Sequence, residues 1–379
     1  MKLPRKRTLI ALGLLPAALL MRWAAFTAPG WVEMLFAQGL YPRVARLLGL
    51  TNSLLPLPAA ELAVLAGGVL VLVLLTGWWR GSRRNPGLGA ALRRLALATW
   101  AAAGIGLLMF LFAWGFNYAR PPLRDRLALD LDRLQAEEVL ALAERFVVYT
   151  NVVYEALAAD PALPTPLPHR LDVVDLSIDA SYRQLGLPGD TIDFVTSPAK
   201  GLLTSALFSR LGISGIFIPF TGEPLFNRHM PGASKPVAIA HEKAHQRGIT
   251  DEGEANLAAV LACLTAPEPY LRYAAALYAS STLLSGANRY APDEVRAIAG
   301  QWGPGPRRDL QAIREFWEQH RGRAMRAASR VNDAYLRSNR VEGGVQSYGR
   351  VASMLVGMAR SGRLPELAAA GPPAGGQRK

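Results

Sequence analysis

Two histidines four residues apart, with a glutamate between them, are the residues in this chain best suited to chemistry: His241-Glu242-Lys243-Ala244-His245. A zinc-dependent hydrolase requires neutral nitrogen ligands about 2 Å from the ion and a base beside the reacting water. On a helix, residues four apart lie one turn apart on one face, so both imidazoles can reach the same ion. The local sequence suits a helix. Pro236 fits a first turn, Val237 to Ala244 is mostly apolar, and Gly248 can end the helix with a positive φ. Two of the five histidines fall in this motif, and its apolar surroundings argue against a merely solvated face. Lys243 and Arg247, on the same helix, read as solvated surface. Zinc needs a third protein ligand. Asp251, Glu252 and Glu254 follow closely. If Asp251 caps the next helix and Glu254 closes a variant of the capping box, Glu252 is left for the metal. Glu252 is therefore preferred, with Glu254 and Asp251 as alternatives.

Peptide hydrolysis also builds an oxyanion, which a Tyr, His or Arg donor can share with the ion. Tyr348, Arg350, Tyr335 and His229 are the candidates. The single cysteine, Cys263, allows no intramolecular disulfide and reads as a buried structural thiol.

The site must be positioned by a chain of 379 residues that is 51% hydrophobic and 19% charged, with a formal net charge of +13. Globular chains average about 25% charged residues, so part of this one is expected in lipid. Three apolar segments fill the first third, at about 8–27, 59–79 and 95–116, each near the ~20 residues a membrane helix needs. The N-terminal tail carries four basic residues and the 80–94 stretch carries five arginines. The intervening loop has only Arg43 and Arg46, with Glu33 against them. The positive-inside rule then puts the N-terminus and the 80–94 loop in the cytoplasm, and three crossings leave the remainder outside. No basic stripe with interleaved aromatics favours nucleic acid.

Beyond Pro121-Pro122, which should end the third membrane helix, charges become frequent. An amphipathic helix is expected from about Asp132 to Ala159, another from Leu176 to Leu185, and a strand over Gly212 to Phe220. Helices dominate again from Pro236 to Ala359. The expected organisation is a transmembrane region (1–117), a mainly α domain with a small sheet (118–365) and a disordered tail (366–379).

Several segments carry resemblances. His241 to Asp251 reads HExxHxxGxxD, which resembles metzincins with aspartate in third position. Glu252-Gly253-Glu254-Ala255-Asn256 instead resembles the E-x-x-A-D/N element of membrane gluzincins. There the glutamate is a ligand and the residue four later orients a ligand, a role that would fall to Asn256. In the zincin pattern Glu242 occupies the general-base position. HEKAHQRG followed by EGEAN, together with Trp114 to Arg120, GIFIPFTGE, Tyr335-Leu336 and Gly344 to Arg350, resembles bacterial membrane proteins grouped as domain of unknown function 3810, a zincin-like family. Tyr348 leads the oxyanion candidates because it sits in one of these segments. The resemblance implies three N-terminal membrane helices and an extracytoplasmic, α+β peptidase-like domain, and it implies no particular substrate. The expectation is a membrane-anchored zinc metallopeptidase acting on peptides or proteins outside the cytoplasm, with His241, His245 and Glu252 as ligands and Glu242 as base. The alternative is a non-catalytic membrane sensor or scaffold that retains the metal-binding domain.

Overall fold

The computed structural model describes residues 5–82, 88–167, 170–365 and 367. The expected disordered tail, apart from Leu367, lies outside the described residues, as do Lys2, Arg83 and Arg84. The chain divides into two compact units, Met1–Pro121 with Ile218–Glu223, and Pro122–Phe217 with Pro224–Lys379.

The first unit is helical: α1 (Arg5–Thr27), α2 (Tyr41–Ser53), α3 (Ala59–Ser82) and α4 (Leu88–Ala113). A π-helical stretch, Val32–Leu40, leads into α2. Helices α1 and α4 pack together. Gly104 lets them approach closely, since a Cβ there would fall 2.6 Å from the Leu15 nitrogen. Among the described residues, two helical stretches, Thr8–Thr27 and Leu95–Ala113, are long and apolar enough to cross a membrane, not the three expected. Only 6% and 11% of these stretches is buried inside the fold, unlike the core helix of a water-soluble protein. The middle segment is helical, but the apolar run of its described side chains is Ala59–Val73, shorter than the ~20 residues that a bilayer core demands. Helix α4 ends at Ala113, before the prolines expected to stop it. A 3-10 turn, Gly115–Ala119, ends it instead. Gly115 lies under the Phe110 ring, where a Cβ would collide.

The second unit holds α5 (Ala136–Ala156), α6 (Leu171–Leu185), α7 (Ser205–Leu211), α8 (Lys235–Gln246), α9 (Glu252–Thr265), α10 (Pro269–Ala287), α11 (Pro292–Ala299), α12 (Pro304–Gln319), α13 (Arg323–Ser338) and α14 (Val351–Arg360). Its core is built on α9, where Leu257 to Cys263 are wholly buried. Helix α9 packs on α8 and α10, and α10 lies along α5. Burial pushes the Cys263 thiol far up, consistent with a structural role.

A three-stranded sheet has the order β1 (Lys200–Gly201), β3 (Glu223–Phe226), β2 (Gly215–Ile218). Strand β1 runs parallel to β3, with Lys200 opposite Leu225. Strand β2 is shorter than the expected Gly212 to Phe220. Gly212 takes a left-handed φ of 73° to cap α7, and the chain turns after Ile218 through Gly222 at φ 67°. The sheet order leaves β2 as an edge.

Candidate metal and catalytic centre

Helix α8 carries His241, Glu242 and His245, and nearly every residue on it is buried. Gly248 follows with φ 78°, so the chain reverses into α9 within a few residues. Asp251 caps α9, accepting from Gly253 N at 2.9 Å and Glu254 N at 3.1 Å. That cap sets Glu252 in the first turn of α9, facing α8.

The histidine Nε2 atoms lie 3.1 Å apart, and Glu252 Oε2 stands 3.1 Å from His241 Nε2 and 3.3 Å from His245 Nε2. The Nδ1 atoms are committed elsewhere. His245 Nδ1 lies 2.7 Å from the Ile249 carbonyl, which can only accept, so the proton sits on Nδ1. His241 Nδ1 lies 2.9 Å from Asn256 Oδ1 and donates in the same way. Both neutral rings then turn Nε2 lone pairs toward each other and toward a carboxylate. Such a trio is repulsive without a cation. Ligand atoms about 2.0–2.1 Å from a tetrahedral centre stand roughly 3.4 Å apart, close to the spacings found. Two imidazoles and one carboxylate are a donor set that suits zinc.

The charges fit the same picture. Burial opposes the charged form of Glu252, but the two histidines hold its carboxyl well below the usual range. Burial likewise works against a charged His245, yet the Glu252 carboxylate overrides it and raises the imidazole to about 9. The cluster thus favours positive charge at its centre.

Glu242, next to His241 on α8, has its carboxylate against β2. Burial pushes its carboxyl up to about 7, against the pull of His241 and His245. The Phe217 N–H donates to it. Gly215 is glycine because a Cβ there would stand 2.5 Å from Glu242 Oε1. The edge strand thus lies directly against this carboxylate.

The remaining candidates are dispersed. Asp251 is a cap, not a member of the trio. Glu254 does not close the capping box; its carboxylate accepts from Leu123 N at 2.8 Å and Arg124 N at 3.2 Å. Arg350 is ion-paired with Asp251 and stands 3.4 Å from Glu342, so its charge is engaged one residue away from Glu252. Tyr335 is exposed on α13, and His229 is exposed in the turn after β3, where its N–H donates to Asn227 Oδ1. The side chain of Tyr348 lies outside the described residues. Its segment does reach the site: the Ser347 carbonyl lies against Gly253, where a Cβ would collide.

Lys243 and Arg247 are not surface residues. Both are buried on the face of α8 away from His241, His245 and Glu252. Lys243 Nζ lies 3.0 Å from Asp175 Oδ1, 3.1 Å from Asp179 Oδ2 and 3.0 Å from Thr196 Oγ1. Arg247 Nη1 reaches Asp190 at 2.8 Å, and its guanidinium lies over the Tyr182 ring. Sequence reasoning missed these aspartates. Their signal was the i, i+4 spacing of Asp175 and Asp179 on α6 beside Val174 and Ile178, which marks an inward face.

The fold is thus a largely helical chain with two apolar helices and a buried two-histidine, one-carboxylate cluster. A family model described as Protein of unknown function (DUF3810) matches residues 36–356, and the chain belongs to that family. No match is found among curated proteins or among solved structures.

Proposed function

We propose that this protein is a membrane-anchored zinc metallopeptidase. The observation that carries the reading is the convergence of the His241 and His245 Nε2 atoms with Glu252 Oε2, both Nδ1 positions being already engaged. His241, His245 and Glu252 would hold the ion, with Asn256 and the Ile249 carbonyl orienting the rings. Bound zinc supplies Lewis acidity, which acidifies water and polarises a carbonyl. Glu242 takes a proton from the attacking water and passes it to the leaving amine. A carboxyl that burial pushes up to about 7 suits such transfers, and a neighbouring cation would draw it lower. Phe217 N–H aims the carboxylate. The position of β2 at the end of the sheet order, beside Glu242, supports pairing with an extended peptide, whose main chain would bind as an added strand. Tyr348 is the proposed oxyanion donor, on the strength of its segment lying against Gly253.

Anchorage rests on α1 and α4. The domain's side of the membrane depends on the parity of the crossings. The exposed Leu and Val side chains of α3 support a third passage, which would put the second unit outside the cytoplasm.

Purified full-length protein and its Glu242→Gln variant test the enzymatic reading. About one equivalent of zinc in both proteins, with proteolysis lost only in the variant, is the expected result. A wild-type chain that takes up no zinc, or equal cleavage by the variant, overturns it.

A further inference from the structure

Between the end of α1 and the start of α3 lie 31 residues with an unusual surface. They include one acidic residue, Glu33, and two basic ones, Arg43 and Arg46. Helix α2 packs Tyr41, Gly49 and Asn52 inward. Its opposite face carries Leu47, and continues through Leu50 to Leu54, at i, i+3 and i+7. These three are 63%, 62% and 81% exposed. A helix facing water puts polar residues there. Before it, Trp31, Met34 and Leu35 are also exposed, while Val32, Phe36 and Ala37 are buried. Contiguous apolar patches beyond a few hundred Å² are rare on water-soluble monomers.

Charge identifies what covers this face. Glu33 is drawn back onto Arg120, whose Nε and Nη2 donate to its carboxylate at 2.7 and 2.9 Å. The segment's sole carboxylate is therefore neutralised inside the unit, while Arg43 and Arg46 stay exposed beside the leucines. Apolar residues flanked by arginines and a tryptophan suit the boundary between acyl chains and anionic headgroups. The segment is continuous in sequence with helices that also expose Leu and Val.

We propose that residues 29–57 lie in the interfacial layer of the bilayer, with Leu47, Leu50 and Leu54 in the acyl region and Arg43 and Arg46 on anionic headgroups. This rests on the membrane anchorage proposed above and specifies a lipid-binding surface within it.

Single-cysteine variants Leu50→Cys and Leu54→Cys of the full chain, labelled with an environment-sensitive fluorophore, test it in vesicles of phosphatidylcholine and phosphatidylglycerol. The native Cys263 is buried and escapes labelling. Met109→Cys on α4 and Val331→Cys on α13 are the controls. The expected result is blue-shifted emission at 50 and 54. Nitroxides near the glycerol level should quench it more than nitroxides deep in the chains, and aqueous iodide should not. Blue shift should weaken in vesicles of phosphatidylcholine alone and in the Arg43→Gln/Arg46→Gln background. Iodide quenching at 50 and 54, as at 331, overturns the interfacial placement. So does protection from both quenchers, which would mean a protein partner, or indifference to anionic lipid. Failure of lipid quenching at 109 would instead overturn the anchorage itself.

Discussion

At the scale of single residues, the proposed centre depends on which ring nitrogen would face a metal ion. His241 would present Nε2 because Asn256 accepts from Nδ1 at 2.9 Å. Replacing Asn256 with alanine removes that restraint, and loss of such a ligand-orienting contact lowers metal affinity about 10–100-fold. Asn256→Asp, which keeps an acceptor at the same place, should recover most of it. Competition with a chromophoric chelator measures both, and unchanged affinity in the alanine variant would remove Asn256 from the site. The His-Glu-His spacing was readable in the sequence because helical periodicity alone puts His241 and His245 on one face. A ligand-orienting role for Asn256 was implied by the resemblance to the E-x-x-A-D/N element, but its partner, His241, came only from the fold. The engagement of Arg350 was not. It depends on a contact with Asp251 across 99 residues, which no local pattern encodes.

At the scale of elements, α8 is held from behind by buried charge. Lys243 is flanked by Asp175 and Asp179, with no exposure of its own. Breaking a buried pair by removing one partner costs about 3–5 kcal/mol, because the other charge stays buried. Lys243→Met should therefore lower the unfolding free energy obtained from urea titration by an amount in that range. Adding Asp175→Asn and Asp179→Asn should restore much of the loss. A Lys243→Met protein as stable as the parent would show that these charges do not hold the helix. A second tie joins α14 to the start of α5, where Arg360 donates to Glu138 at 2.9 and 2.7 Å. The Arg360 guanidinium and the Gln135 N–H lower the Glu138 carboxyl from 4.5 to about 2. The folded value lies below the unfolded one, so this contribution is full above about 4.5 and lost as pH falls toward 2. Thermal melts between those pH values should show a shallower acid decline in Glu138→Gln than in the parent, and identical slopes would refute the assignment. Periodicity made the elements themselves legible: α5 falls inside its expected range, and α6 ends at Leu185 as expected but begins earlier, at Leu171. Strand β2 came out shorter because its ends belong to a helix cap at Gly212 and a turn at Gly222, both fixed by positive φ values.

At the scale of the whole molecule, the domain boundary was partly legible. Composition changes near Pro121, but the assignment of Ile218–Glu223 to the first unit comes from a tertiary contact. Glu223 accepts from Ala59 N and Ala60 N, both at 2.8 Å, capping the start of α3 with a wholly buried carboxylate. Helix α3 also decides topology. Its 24 residues rise about 36 Å, enough for a hydrocarbon core of about 30 Å. Val64, Leu65, Val69 and Leu72 are exposed along it. If it crosses, three passages carry the second unit to the side opposite a cytoplasmic N-terminus, and the five arginines at 80–94 stay inside. A reporter enzyme that folds only in an oxidising extracytoplasmic space, fused after Arg363, should then be active, and the same reporter inserted at 83–87 should be silent. Deleting Ala59–Ser82 should silence the C-terminal fusion by changing the parity. Activity at 83–87 with silence after Arg363 would overturn this topology and leave the second unit in the cytoplasm: either α3 does not cross or the orientation is reversed, and activity of the same reporter at the N-terminus marks the reversed case.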